Sequence, residues 1–155
     1  MMVSWKLPWR SDAARAPEPV VGDPDLRVVV SGTDETVASS VALAQAGFAS
    51  TEAVVLRHVV RLPASAVGGV LERVGADGYA VDESPVDERV VAAGPDAADD
   101  ALTTLALARV MPVDAVALSR ERARIASMVS RAEGAVVGWA VLRPAGAGEA
   151  GAPRR

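Results

Sequence analysis

Between residues 52 and 62, side chains of two kinds alternate along the chain, which predicts a β-strand with two unlike faces. One face is aliphatic apart from a histidine, and the other sets arginines between valines. The first face consists of Val54, Leu56, His58, Val60 and Leu62, and the second of Val55, Arg57, Val59 and Arg61. Pro63 then opens a helix, which is followed by a strand from Tyr79 and a turn near Ser84.

The same order of elements returns in the last third of the chain. The pattern predicts a strand over residues 102–111, a helix over 113–132 and a strand over 135–143. At about 100° per residue, this helix has an apolar side and a polar side. The apolar side carries Leu118, Ile125, Val129 and Ala132, and the polar side carries Arg120, Arg124, Ser127 and Arg131.

Two consecutive strand–helix–strand units predict an α+β fold, a ferredoxin-like sandwich with helices on one face of an antiparallel sheet. The strands from Glu52 and from Leu102 form its central pair. Residues 26–50 add an N-terminal strand and a helix capped by Thr33, and whether they join the sheet stays open. A further extended piece is predicted at residues 89–92.

The helix capped by Thr33 has a predicted apolar stripe of Val37, Val41 and Ala44. The domain organisation follows from where periodicity begins and ends. We interpret the chain as a disordered tail (1–25), a single α+β domain (26–143, with its ferredoxin-like core at about 52–143) and a second disordered tail (144–155). Trp5 and Trp9 mark the first tail either as a short docking motif or as a segment that folds back onto the domain.

Composition narrows the classes of function. Aromatic residues make up only 3% of the 155 residues, so the core must consist of valine, alanine and leucine. The net charge of −4 argues against general polyanion binding. The charge is uneven, because acids dominate residues 72–100 and arginines dominate residues 109–131. Such polarity suits the orientation of a charged partner.

Cysteine is absent, which excludes disulfides, thiolate metal sites and cysteine nucleophiles, and fits a cytoplasmic protein. The N-terminus has no continuous apolar stretch of the secretory type. The longest uncharged run, residues 36–51, is too short and too polar to span a bilayer. We therefore expect no membrane association.

Catalytic chemistry has few candidates. A Ser-His-Asp triad would have to use His58, which lies mid-strand on the apolar face, where a core histidine is expected. One histidine among scattered acids gives no metal-ligand spacing. Residues 28–34 contain one glycine where a dinucleotide fingerprint needs three. The sequence thus predicts no enzyme, no catalytic residue, no metal and no cofactor.

Two surfaces are candidates for partner binding. If the side of the sheet with the small residues Ala106, Ala108, Gly138 and Ala140 lies beneath the helices, the other face is open and could contact phosphates and stack on a base. That face would present Arg57, Arg61, Leu105, Arg109, Trp139 and Arg143. The basic-aromatic signature of RNA-binding sheets is absent, so direct nucleic-acid binding is not expected, and a solvated or partner-covered face is the alternative. The acidic candidates are Asp82, Glu83, Asp87 and Glu88, which as adjacent pairs also suit turn and solubility charges.

From about residue 37 to residue 142 the chain resembles the regulator of ribonuclease activity B family. The resembling pieces are Ala-Gln-Ala-Gly-Phe at 44–48, the strand at 54–62 running into proline, Ala-Asp-Gly-Tyr at 76–79, Met-Pro-Val-Asp at 111–114 and Gly-Ala-Val-Val-Gly-Trp at 134–139. Family members often carry Tyr-Asp where this chain has Val136 and Val137, and the acidic stretch 82–100 is longer here.

The resemblance implies a ferredoxin-like, acidic, cytoplasmic protein that binds ribonuclease E and modulates RNA decay without catalysis. The acidic stretch would dock on a basic, arginine-rich part of that enzyme. We therefore predict a non-enzymatic protein-interaction module. The alternatives are a small-molecule-sensing ferredoxin-like domain, against which the glycine-free junction at residues 62–64 counts, and weak RNA binding through the open sheet face. The oligomeric state is left open.

Overall fold

The computed structural model describes residues 18–94 and 99–146. Within them the chain forms a five-stranded antiparallel sheet and four α-helices. The elements are β1 (Leu26–Gly32), α1 (Ser39–Gln45), β2 (Ala53–Pro63), α2 (Val67–Ala76), β3 (Ala80–Val81), α3 (Glu88–Ala93), β4 (Leu102–Pro112), α4 (Ala115–Arg131) and β5 (Ala135–Pro144). A short 3-10 turn, Ala64–Ala66, joins β2 to α2.

The strand order is β1-β5-β2-β4-β3. The last four strands with α2 and α4 give the ferredoxin-like arrangement that the two strand–helix–strand units predict, so the predicted fold class is confirmed. The predicted central pair is also confirmed, since β2 and β4 pair without interruption from Ala53 opposite Pro112 to Pro63 opposite Leu102. The question of residues 26–50 is resolved because β1 pairs with β5 at the sheet edge.

Helices α1, α2 and α4 cover one side of the sheet, which we call the first face. Beneath α1 and the start of α4 lies a cluster that includes Leu56, Leu118 and Trp139. Beneath α2 and the end of α4 lies a cluster that includes Val74 and Ile125. The predicted stripe of α4 is confirmed, because its inward residues Leu118, Ile125 and Val129 are at most 1% exposed.

The opposite side of the sheet, the second face, is not open. Val59, Ala106 and Val137 pack there against Val86 and Val90 of α3 and the turn before it. A second cluster on this face contains Val55, Ala108, Ala140 and Leu142, together with Leu26 and Val21. The expectation of one bare sheet face is therefore wrong. The physical reason is that β2 alternates valine and arginine along the middle of its second face, and valines in a central strand need cover.

The start of α1 differs from the prediction. Thr33 is not its cap, because the helix begins at Ser39, and Asp34 instead accepts hydrogen bonds from the Thr36 amide at 2.8 Å and hydroxyl at 2.6 Å. This local turn competes with helix formation. The later start changes the phase of the helix. Leu43 is its buried aliphatic residue, whereas Val41 is 45% exposed.

Residues 89–92 are helical, not extended. The carboxylate of Asp87 accepts a hydrogen bond of 2.9 Å from the Arg89 amide and caps α3. An aspartate that starts a helix satisfies amide groups that have no partner within the helix. The two valines at 90–91 have the composition of a strand, but the cap at Asp87 starts a helix there instead.

Residues 18–25, which belong to the predicted N-terminal tail, contribute the buried Pro19 and the cluster residue Val21. Trp5, Trp9 and the end of the C-terminal tail from residue 147 lie outside the described residues. Within the described part of the chain, no helix is both long enough and apolar enough to cross a membrane.

Candidate functional site

A buried carboxylate lies between α4 and the first face of the sheet. Glu121 is 3% exposed and follows Leu118 by three residues and precedes Ile125 by four. This is the spacing of the inward stripe of the helix. A sequence argument that counts only apolar residues misses Glu121, although its phase on the helix predicts its burial.

Three side chains surround this carboxylate. The Tyr79 hydroxyl donates a hydrogen bond of 2.6 Å to Oε2 of Glu121. A nitrogen of Arg109 lies 3.7 Å from the same oxygen, and its guanidinium group lies 5.5 Å from the centre of the Tyr79 ring. Arg124 lies 3.3 Å from Oε1 and also pairs with Asp77 at the surface. Glu121 is therefore a compensated charge, as burial in a low-dielectric interior requires.

His58 of β2 extends the network along the first face. Its Nε2 lies 3.4 Å from the hydroxyl oxygen of Tyr79. Burial, aided by the charge of Arg122, lowers the pKa of His58 to about 3, so the imidazole is neutral at pH 7. Burial and the hydrogen bond to Glu121 raise the pKa of Tyr79 above its ordinary range, so its hydroxyl keeps its proton.

The network does not form a nucleophilic triad. The hydroxyl that faces His58 belongs to Tyr79, and its proton is directed at Glu121 rather than at the imidazole. Glu121, in turn, is held by Arg109 and Arg124. The arrangement fixes α4 against the sheet and against the end of α2. Among the described residues, no group of His, Cys, Asp and Glu has the arrangement of a metal site.

Trp139 lies on this first face and not on an open one. It is 6% exposed, and the guanidinium group of Arg122 lies 5.5 Å from its ring centre. Arg122 also donates hydrogen bonds of 3.0 Å to the Val37 carbonyl and to the Ser39 hydroxyl. At Gly32 a side chain is excluded, since a Cβ there would lie 2.7 Å from the indole nitrogen. These contacts hold the chain between β1 and α1 against α4.

On the second face, Arg57 faces Asp82, with its Nη1 atom 3.6 Å from Oδ2. Both side chains are at least nine-tenths buried. The second oxygen of Asp82 accepts a hydrogen bond of 2.9 Å from the Ser84 amide, while Arg57 Nε and Asp82 Oδ2 have no hydrogen-bond partner. The pair is therefore a long ion pair without a connecting hydrogen bond.

Arg61, four residues further along β2, reaches the end of α3. It donates hydrogen bonds to the carbonyl oxygens of Val91 and of Gly94, the latter at 3.4 Å, and to the Thr104 hydroxyl at 3.4 Å. The last carbonyl groups of a helix carry partial negative charge and attract a cation. Arg57 and Arg61 thus contact the two ends of residues 82–94, which we call the α3 segment.

The predicted open-face set is divided between the two faces. Antiparallel partners that lie directly opposite share a face. Arg57 lies opposite Ala108 and Ala140, whereas Leu56 lies opposite Arg109 and His58 lies opposite Trp139. The small residues and Arg57 are therefore on the same side, and the prediction that placed them on opposite sides is wrong.

Arg143 completes this division. Its guanidinium group lies 5.7 Å from the centre of the Phe48 ring, which belongs to the first-face core. The RNA-binding alternative assumed an open face with Arg57, Arg61, Arg109, Trp139 and Arg143 side by side, and that surface does not exist in the described part of the chain. Which side chains share a face depends on the register between strands that are distant in sequence. Local alternation does not encode that register.

The acidic candidates also separate. Asp82 is 4% exposed and faces inward, whereas Glu83, Asp87 and Glu88 are exposed on the outer side of the α3 segment. Asp99 and Asp100, where the described chain resumes, are exposed as well. The segment therefore presents three carboxylates and the guanidinium group of Arg89 outward, while its inward contacts are to arginines and valines of the sheet.

The geometry also bears on the small-molecule alternative, whose expected site is the junction at residues 62–64. An open groove of about 590 Å³ lies elsewhere, between residues 35–40 and α4, and is lined mainly by small side chains. A smaller cavity of about 30 Å³ is bounded by His58, Arg122 and Trp139. Comparisons of the chain with protein-family models, with curated proteins and with solved structures gave no match.

Proposed function

We propose that the chain is a non-enzymatic, cytoplasmic protein-interaction module that binds a basic segment of a partner protein through the outer side of the α3 segment. Following its resemblance to the regulator of ribonuclease activity B family, the proposed partner is ribonuclease E, whose activity in RNA decay it would modulate. The proposed contact residues are Glu83, Asp87 and Glu88.

The observation that carries this proposal is the outward direction of these three carboxylates on a segment whose inward side packs on the sheet. A surface with an excess of one charge sign steers an oppositely charged segment to one place on the molecule. Arg57 and Arg61 are buried and turned inward. Arg89 is the exposed arginine of the segment, so three exposed carboxylates stand against one guanidinium group.

The internal use of the reactive side chains supports a role without catalysis. The imidazole of His58, the hydroxyl of Tyr79 and the carboxylate of Glu121 contact one another and two arginines. A general base must reach the proton that it abstracts from a bound substrate. Glu121 instead accepts an interior hydrogen bond from Tyr79, and His58 is 1% exposed, so neither base faces a surface where a substrate could bind.

Affinity purification from the native host tests the proposal. The wild-type chain is expected to retain a ribonuclease, and the variant E83Q/D87N/E88Q is expected to lose it because its outer side has lost three charges. An asparagine at position 87 keeps the capping oxygen of α3. The matched control is E18Q/E52Q/E72Q, which removes three exposed carboxylates elsewhere.

The control variant is expected to retain the ribonuclease as the wild type does. If the wild type enriches no ribonuclease, the proposed partner is wrong. If the acidic variant and the control retain a ribonuclease equally, the proposed surface is wrong.

A further inference from the structure

The α3 segment is attached to the second face at three places. At its start, the Asp82 amide donates a hydrogen bond of 2.8 Å to the Ala106 carbonyl, and the side chain of Asp82 faces Arg57. In its middle, Val86 and Val90 pack on the sheet. At its end, Arg61 donates to the carbonyl groups of Val91 and Gly94.

The two arginines lie on one strand and one face, four residues apart, which spans about 13 Å of β2. One contacts the first residue of the segment and the other contacts its last turn. A central strand that is paired on both sides is among the most rigid parts of a small domain. The ends of the segment are therefore fixed relative to each other by β2.

This attachment is not the one that stability alone favours. Arg57 Nε and Asp82 Oδ2 are buried without a hydrogen-bond partner. A buried ion pair with unbonded polar atoms is often less stable than apolar side chains of the same volume. Two apolar residues would cover the sheet as well, but they would not fix the position and rotation of the segment as a directional charge pair does.

We infer that Arg57 and Arg61 are positioning residues for partner binding, which they influence without touching the partner. The inference rests on the proposed function and adds a requirement to it. Glu83, Asp87 and Glu88 bind the basic partner segment only when the α3 segment is held on the sheet. A surface that is ordered before binding does not lose conformational entropy when the partner arrives.

Gly94 provides a way to loosen the segment without changing a charge. A Cβ at Gly94 would lie 2.6 Å from Cγ1 of Val137, closer than carbon atoms can approach. The substitution Gly94→Ala therefore pushes the end of the segment away from the sheet and from Arg61. The substitution Val137→Ala removes the two methyl groups at 2.6 and 3.1 Å and leaves the Cβ of residue 137 at 3.2 Å, so the double variant can come within a few tenths of an ångström of the original position.

The test is a titration of a synthetic arginine-rich peptide of ribonuclease E into the wild type, G94A, V137A and G94A/V137A. Hydrogen exchange of the amides of residues 82–94 is measured on the same four proteins. We expect faster exchange in this segment of G94A and about tenfold weaker binding, and the double variant should recover most of both. Recovery would show that the position of the α3 segment, rather than loss of the glycine, sets the affinity for the peptide.

Two results would overturn the inference. In one, G94A exchanges faster in the α3 segment but binds the peptide as tightly as the wild type. In the other, G94A changes neither exchange nor binding, which would mean that the end of the segment is not held at Val137. Absence of peptide binding by the wild type would instead contradict the proposed function itself, so the two failures are distinguishable.

Discussion

The two faces of the sheet bury charged side chains in different ways. On the first face, Glu121 is held by a short hydrogen bond from Tyr79 and by arginines on two elements. On the second face, Arg57 and Asp82 form a 3.6 Å ion pair with one unbonded atom on each side. The first network belongs to a 17-residue helix and the second to a segment with a six-residue helix.

The difference indicates that the two faces have different structural roles. The first face fixes the fold, because Glu121 connects α4 to Arg109 on β4 and, through Arg124 and Asp77, to the end of α2. Arg109 Nε is buried there without a hydrogen-bond partner, but both oxygens of Glu121 have partners. The second face carries an attached segment whose local opening requires the loss of two valine contacts, a long ion pair, the Asp82 amide hydrogen bond and the hydrogen bonds from Arg61. Segments with few buried contacts are the ones that open locally without global unfolding.

The largest expected effect concerns Glu121. E121Q leaves Arg109 without its buried counter-charge, and we expect a loss of about 3–5 kcal/mol in the free energy of unfolding, measured by urea denaturation. D82N on the second face should cost only about 1–2 kcal/mol, since local opening lets Arg57 reach water. Equal losses in the two variants would contradict the proposed difference between the faces.

The second prediction concerns pH. The folded pKa of His58, about 3, is below the unfolded value of 6.5. The unfolded chain therefore takes up a proton as pH falls through 6.5, while the folded chain does not until about pH 3. The free energy of unfolding is therefore highest above pH 6.5 and falls on acidification, by about 2 kcal/mol between pH 7 and pH 5.

The variant H58L should lack this part of the pH dependence in urea denaturation at the two pH values. His58 is the single histidine of the chain, so no other imidazole contributes, and the second face has none. An equal loss of stability in H58L and in the wild type would show that His58 is not the source.

A smaller effect is expected at Arg122, which joins α4 to the chain between β1 and α1. R122K keeps the charge but loses the forked geometry that reaches both Val37 and Ser39, and we expect a cost of about 1–2 kcal/mol. Amide exchange at residues 34–39 should accelerate. The control R120K alters an exposed arginine on the other side of the helix and should stay within about 0.5 kcal/mol of the wild type.

The architecture was predictable because its signals are local. Alternation in β2, the apolar stripe of α4 and the prolines at strand ends each depend on a few neighbouring residues, and they were enough to indicate the order of elements. The start of α1 was not predictable in this way, because Asp34 and Thr36 form a turn where a helix cap was expected.

The location of the charged residues was less predictable, because it depends on contacts distant in sequence. Arg57 and Arg109 each occupy a strand with alternating pattern, and only the register of β2 with β4 shows that they face opposite ways. Glu121 had a usable signal in its helical phase. The contact of Asp82 with Arg57 had none, since a 3-10 turn, helix α2 and strand β3 separate the two residues along the chain.

The smallest effect on stability is expected for E83Q/D87N/E88Q. The three side chains are exposed and the asparagine that replaces Asp87 still caps α3, so the free energy of unfolding should change by less than about 0.5 kcal/mol in urea denaturation. The same variant should have the largest effect on binding. A large loss of stability would mean that these carboxylates help to hold the segment rather than face a partner.

Binding through the outer carboxylates is tested by the affinity of this triple variant for the arginine-rich peptide of ribonuclease E, measured by calorimetry beside the wild type and E18Q/E52Q/E72Q. We expect the wild type and the control to bind with equal affinity that weakens as salt increases. The triple variant should bind at least about tenfold more weakly. Equal affinity of all three proteins would mean that Glu83, Asp87 and Glu88 do not form the binding surface.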